Sequence, residues 1–356
     1  MIKTLSPYYV TTPWVSTATG LTSTFYTLYI YIWSGAKASV PSVTEYTIEK
    51  ENVESSTGSD KINISRLVND FITFTAQTAT STGDIDGMNQ MWVKTDVTYT
   101  TTNPTDGTTH QEASTVLASR GYTYGNEGEN VTVTSGQVLM QGDNYKIDRT
   151  GYFVVPIHID ESVGKSVTVI SYPSNEISST INMVATTDSE ELIQYIWIDA
   201  SKTTADTSIE MVYGVTRKTV LVKDELKYTP VQLLFQNKDG AEQIITMFKE
   251  RRESLSVTDT TYESDRGQPL TGMHQFVRGN VQGRTKLKLN SGFVLEENKE
   301  GFRQLYLSER IWILEGTTLT PVNISSKSID YKTRENEKLI NYEIEVEYSY
   351  NEINNI

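Results

Sequence analysis

The chain has 356 residues, 37% hydrophobic and 21% charged, enough for two or three domains that each bury a core, and this excludes disorder along the whole length. Thirty-one Lys and Arg stand against 45 Asp and Glu, a net charge of −14 that repels a phosphate backbone and argues against nucleic-acid binding. There is no cysteine, so disulfides, thiolate-held zinc, iron–sulfur clusters and cysteine nucleophiles are excluded.

The first fourteen residues hold one lysine and no apolar run of signal-peptide length, and no longer apolar span follows. The expectation is a chain made in the cytoplasm, soluble, with no membrane partner. With 49 Thr, 21 Tyr and recurrent period-two alternation, the fold class expected is all-β with a few short helices, built as multiple β-sandwich domains.

Strands are expected at residues 5–14 and 26–33. In the second, Leu28, Ile30 and Ile32 share one face and Tyr29, Tyr31 and Trp33 the other, so both faces call for cover. A turn at 34–37, a link containing Pro41 and a strand at 45–49 follow, a spacing that resembles the early strands of a fibronectin type III sandwich. Residues 63–73 read as a helix, with Ile64, Leu67, Val68, Phe71 and Ile72 at helical spacing behind Asn63 or Ser65 as cap. Residues 92–100 alternate as a half-buried strand, with Val93, Thr95, Val97 and Tyr99 on one side. The Gly-, Asn-, Asp- and Thr-rich stretches 77–88, 103–109, 121–130 and 142–151 read as loops. A short helix is expected at 299–309, with Phe302, Leu305 and Tyr306 on one side, running into a strand at 311–315. In the last strand Tyr342, Ile344, Val346 and Tyr348 alternate with Glu343, Glu345 and Glu347.

Three stretches share an Ile-Trp pair, 31–33, 195–198 and 310–313, and read as three β units that each use a Trp strand, with Trp312 in the core of the third. The divisions expected are 1–125, 126–222 and 223–356. Residues 225–356 hold 17 Lys and Arg against 20 Asp and Glu, net −3, whereas residues 1–224 hold 14 against 25, net −11. Unlike charge at two ends suits stacking of unlike faces in an assembly.

Motifs with chemical content are sparse. Ser162-Val163-Gly164-Lys165-Ser166 ends like a phosphate loop, but the first Gly of that pattern is Ile159 and a strand follows where a helix is needed. His158 and Asp160 sit two apart beside Glu161 and read as a polar strand face running into a turn. Asp84-Ile85-Asp86-Gly87 opens like a calcium loop without the closing Glu and reads as a polar turn. No Gly-x-Ser-x-Gly elbow is present. No catalytic residue, metal ligand or cofactor is therefore assigned. Tyr8, Tyr9, Trp14, Tyr29, Tyr31 and Trp33 form either sandwich core, a subunit interface or a platform for sugars. Arg251, Arg252, Arg266, Arg278, Arg284, Lys286 and Lys288 make the one basic-leaning stretch, read as a solvated face or an ion-pair surface between subunits.

The C-terminal part carries Lys227-Tyr228-Thr229-Pro230-Val231, Leu234-Phe235-Gln236-Asn237-Lys238-Asp239-Gly240-Ala241, Leu305-Tyr306-Leu307-Ser308-Glu309-Arg310-Ile311-Trp312, Pro321-Val322-Asn323, Tyr331-Lys332-Thr333-Arg334 and Leu339-Ile340-Asn341-Tyr342. Together with Ser6-Pro7-Tyr8-Tyr9 and the run from Tyr29 to Gly35, these resemble structural proteins of tailed bacteriophages that infect Bacteroidota, including crAss-like and flavobacterial phages. The centre, from about 75 to 220, shares no such likeness. The resemblance implies a non-enzymatic virion component of the tail, connector (neck) or baseplate, assembled in the host cytoplasm as a ring of identical subunits beside other phage tail, neck or baseplate proteins. It carries over no active-site residue. The contact surfaces expected are Tyr29, Tyr31 and Trp33 on one face and Glu343, Glu345 and Glu347 on another. The alternative is a receptor-binding module that stacks host glycans on surface aromatics.

Overall fold

The computed structural model describes residues 1–12, 23–53, 60–79, 81–101, 109–159, 166–172, 178–182, 192–203, 207–263, 272, 274–326, 328–329 and 339–353. Its described residues form an all-β protein of five sheets with two short α-helices.

The N-terminal sheet runs in the order Ile2–Lys3, Thr109–Ser119, Gln90–Thr101, Ser23–Trp33, Tyr46–Val53, with the first pair parallel and the rest antiparallel. Leu28, Ile30 and Ile32 meet Val93 and Val97 in its core, as their alternation requires. The ribbon of Tyr9–Thr12 and Asp60–Asn63 and the helix Ser65–Asn69 close that core through Ile64 and Val68. The helix is shorter than its apolar spacing suggests. Asn63 accepts the Ser65 amide at 3.0 Å at its start, but after Asn69 the Phe71 and Ile72 amides reach back only three residues, so the chain leaves in tight turns that still bury Ile72.

The middle unit is a sandwich. One sheet has the order Asn144–Asp148, Thr216–Lys223, Ser208–Tyr213, Ser166–Tyr172, Ser178–Asn182; the other has Gly83–Asp86, Ile193–Asp199, Tyr152–His158, Gln137–Val138. Two expected loops contain strands here. Gly83–Asp86 pairs with Ile193–Asp199, and Asn144–Asp148 runs parallel to Thr216–Lys223. Long-range ladder hydrogen bonds outweigh the turn preference of their Asp, Asn and Gly residues. Through Gly83–Asp86 the first segment lends an edge strand to the second unit.

The last unit is one seven-stranded sheet in the order Glu242–Met247, Val231–Gln236, Ile311–Glu315, Thr318–Ile324, Leu339–Tyr348, Phe276–Leu295, Arg252–Glu263. It curls: the Lys249 amide donates to Asn290 O at 2.9 Å, which brings the first strand beside the sixth. The helix Lys299–Leu307 packs Phe302 and Leu305 into the interior, with Phe302 stacked on Tyr342 at 4.4 Å. This helix and the strand after it lie where the sequence places them.

The three Ile-Trp stretches share a logic that alternation explains. Ile32, Ile196 and Ile198, and Ile311 and Ile313 each face the core of their own unit. Trp33 and Trp197, on the opposite faces, meet Trp92, Leu117, Val154, Tyr195, Leu234, Ile244 and Leu314 in a fourth core between the units. Trp312 departs from expectation. It points out of its own unit, is half-buried, and stacks on Phe74 of the first segment at 5.6 Å. The sheet containing Ile193–Asp199 is consequently buried on both faces, which is why all seven residues of that strand are buried.

Candidate interaction surfaces

The units are tied by a turn. Between Val231–Gln236 and Glu242–Met247, Asn237 Oδ1 accepts the amides of Asp239 at 2.9 Å and Ala241 at 3.1 Å, while its Nδ2 donates to Leu139 O at 2.7 Å. Gly240 takes φ +78°, and a Cβ there would lie 2.7 Å from the Gly121 nitrogen, so a glycine is required on both counts. The Tyr122 amide donates to Lys238 O at 2.8 Å, Ser119 Oγ donates to Asp239 O at 2.8 Å, and buried Lys3 pairs with Asp239 at 2.6 Å. The Asn-Lys-Asp-Gly-Ala motif is thus a clamp on the other two units.

Next to the clamp lies Glu242, fully buried. Its Oε1 accepts the Gln77 amide at 2.9 Å and Asn89 Nδ2 at 3.4 Å, and its own amide donates to Tyr195 Oη at 3.4 Å. No cation faces it in these contacts, and burial pushes its carboxyl up to about 8, against the lesser opposing pull of the Gln77 and Asn89 hydrogen bonds. Sequence reading missed this group, because a single Glu in an apolar run carries no local sign of where the other units will lie.

The Glu-alternating strand is placed on the outer face of the last sheet. Glu343 pairs with Lys288 at 2.7 Å, Glu345 with Lys286 at 3.5 Å and Glu347 with Arg284 at 3.3 Å. The ladder brings together two stretches that the sequence reading kept apart, and it matches three of the basic residues with the three acids. The Lys288 ammonium holds the Glu343 carboxyl below its usual value. Such exposed pairs add little stability each.

From the same sheet a two-stranded arm projects. Arg252–Glu263 pairs with Phe276–Leu295 from Arg252 opposite Lys288 to Glu263 opposite Phe276, and every one of its twelve residues is exposed. At about 3.3 Å per residue this strand is roughly 40 Å long, and the part from Leu255 onward, where Phe276–Leu295 no longer pairs with the final strand, projects as the arm. The chain's last described residues brace its base: Glu352 donates its amide to Gly283 O at 2.8 Å and accepts from Thr285 Oγ1 at 2.5 Å, and Arg284 donates to Asn351 at 3.0 Å. Beyond Gly283 the register shifts at a bulge near Asn280, whose φ is +51°, and Arg278 pairs with Asp259 at 2.8 Å. Leu255, Val257, Tyr262 and Phe276 are 59%, 43%, 54% and 63% exposed.

On the N-terminal face, Tyr29 and Tyr31 are half-buried, with Lys94 over the Tyr31 ring at 5.2 Å. Trp33 is only 6% exposed and donates to Ala36 O at 2.8 Å. It meets other units of its own chain, so it offers no ring face to a sugar. Trp14 lies outside the described residues, as do Asp160, Glu161, residues 162–165 of the phosphate-loop-like motif, and residues 331–334. His158 is buried, with Nδ1 3.2 Å from Thr134 O. Asp84 and Asp86 belong to the edge strand Gly83–Asp86 and not to a turn, since their backbone pairs with Ile196 and Gln194.

Among the described residues no three His, Asp or Glu side chains converge as a metal-binding group. A cavity of about 270 Å³ between the middle and last units is lined mainly by apolar residues, Phe302 and Leu221 among them, and by no Asp, Glu or His. A recess on the outer sheet does hold two carboxylates, Glu250 and Glu343, but Arg252 and Lys288 keep both below their usual values, so neither supplies an acid near neutral pH. No helix among the described residues is long and apolar enough to cross a membrane. No family model and no curated protein matches the chain.

Proposed function

We propose that this chain is a non-enzymatic structural protein of a tailed-phage virion, forming part of a ring-like tail, connector or baseplate assembly with copies of itself and other virion proteins. The observation that carries the reading is the arm. A two-stranded ribbon is marginal alone in water, and an edge of twelve exposed residues with apolar side chains invites another chain to cover it. The body behind it is clamped by the Asn237–Ala241 turn and by the core shared between units, so a contact made at the arm is held at a fixed angle to the rest of the subunit. Fixed contact geometry is what closes a ring. The test is electron microscopy with mass determination on particles from the native source. Rings of fixed copy number within a tail or neck are expected; a chain found only as a free monomer, absent from every particle, overturns the reading.

A further inference from the structure

We propose that the arm adds its free edge, Arg252–Glu263, to the free edge Tyr46–Val53 of the N-terminal sheet on a second copy of this chain. The inference rests on the assembly reading above and names the contact that would carry it.

The first argument is backbone hydrogen bonding. Among the described strands that end a sheet, these two are the longest, twelve and eight residues; the others have six or fewer. Each presents a row of amides and carbonyls on its outer side. The arm strand contains no Pro and no Gly, and Ser, Thr, Val, Leu and Tyr fill most of it, a composition suited to pairing.

Charge is the second. Residues 45–54 hold four Glu and one Lys, so this edge is acidic. Residues 251–288 hold seven Lys and Arg against four Asp and Glu. Glu343, Glu345 and Glu347 occupy Lys288, Lys286 and Arg284, which leaves the projecting part close to neutral. Two bodies of net −14 repel each other, and the arm is a part that approaches an acidic edge without that repulsion.

Geometry is the third. The two edges belong to different sheets of one clamped body, so the contact is heterologous, each copy giving an arm and receiving one. Repeated, such a contact closes into a ring when the rotation from copy to copy divides a full turn, which is what the assembly reading requires.

Because the chain has no cysteine, introduced thiols are the only ones present. The full chain carrying Ser256→Cys with Thr47→Cys, and a second carrying Thr258→Cys with Thr47→Cys to cover the neighbouring register, are oxidised and run under denaturing conditions beside the three single variants. All three positions are exposed. The expected result is covalent oligomers ending at a fixed copy number from a double variant, and single chains from each single variant. Covalent dimers from Ser256→Cys or Thr258→Cys alone overturn the inference, since the arm then meets its own counterpart. No cross-link from either double variant, in a chain that native mass measurement shows to be oligomeric, also overturns it and leaves the assembly reading in place. A single chain at every concentration, absent from particles, sinks both.

Discussion

One strand, Phe276–Leu295, passes through two environments. At Leu287 and Leu289 it lies in the core of the curled sheet, nearly inaccessible to water; at Phe276 it lies on the arm, 63% exposed. The pairing is antiparallel ladder in both halves, broken by a bulge near Asn280 in the outer half and by a second register shift between Asn290 and Phe293 in the inner half. What differs is the layer on top. The inner half is covered by Phe302 and Leu305 of the helix and by the strands opposite, whereas beyond Gly283 and the brace at Glu352 no core cluster among the described residues includes the outer half. Alternation therefore says which side of a strand is apolar and not whether anything covers it.

The largest effects belong on the buried side of this contrast. Trp197→Ala should cost roughly 3 to 5 kcal/mol, because the ring is fully buried in the core between the units. Thermal unfolding of the variant should show all three units losing stability together, whereas separate transitions would mean that the junction does not couple them.

Glu242 tests the same junction through pH. Its carboxyl is held up at about 8 when folded and sits near 4.3 when unfolded, so between those values the folded chain keeps a proton that the unfolded chain has released. Stability should accordingly fall as pH rises from about 4.3 towards 8, by an amount on the order of a few kcal/mol. Glu242→Gln should flatten that slope and be the more stable chain at pH 8. An unchanged slope would place the titrating group elsewhere.

Gly240→Ala should cost roughly 2 kcal/mol, from its left-handed backbone and the short approach to Gly121, and should loosen the clamp. On the exposed side the expected effects are small. Lys288→Ala should change stability by less than about 1 kcal/mol, and Leu255→Ser by about 0.5 kcal/mol or less in either direction. Denaturant titration separates the two groups of variants. A large loss from Leu255→Ser would show that the arm packs on its own body.

Local order was legible in the sequence wherever one element decides it. The faces of Ser23–Trp33, the helix Lys299–Leu307 and the final Glu-alternating strand follow from period and composition. What escaped depends on distant partners. Gly83–Asp86 and Asn144–Asp148 read as loops because their residues favour turns, and only Ile193–Asp199 and Thr216–Lys223, many residues away, make them strands. Trp312 shows the same limit: apolar neighbours mark it for burial, but Phe74 decides where. Of the expected contact residues, Glu343, Glu345 and Glu347 were identifiable as one face, while their Lys and Arg partners could be matched only through the fold. The arm left a trace in the Ser/Thr/Val alternation after Arg252, but exposure on both faces has no signature in a single strand.

The central claim is that the body folds by itself and the arm joins copies. It is tested most directly by native mass measurement of the full chain beside a variant in which residues 256–284 are replaced by an Asn-Gly turn, which connects the opposed pair Leu255 and Thr285. The account predicts an oligomer of fixed copy number for the full chain, and a monomer that still unfolds in one cooperative transition for the trimmed one. A trimmed chain that still assembles, or a full chain that never does, would contradict it.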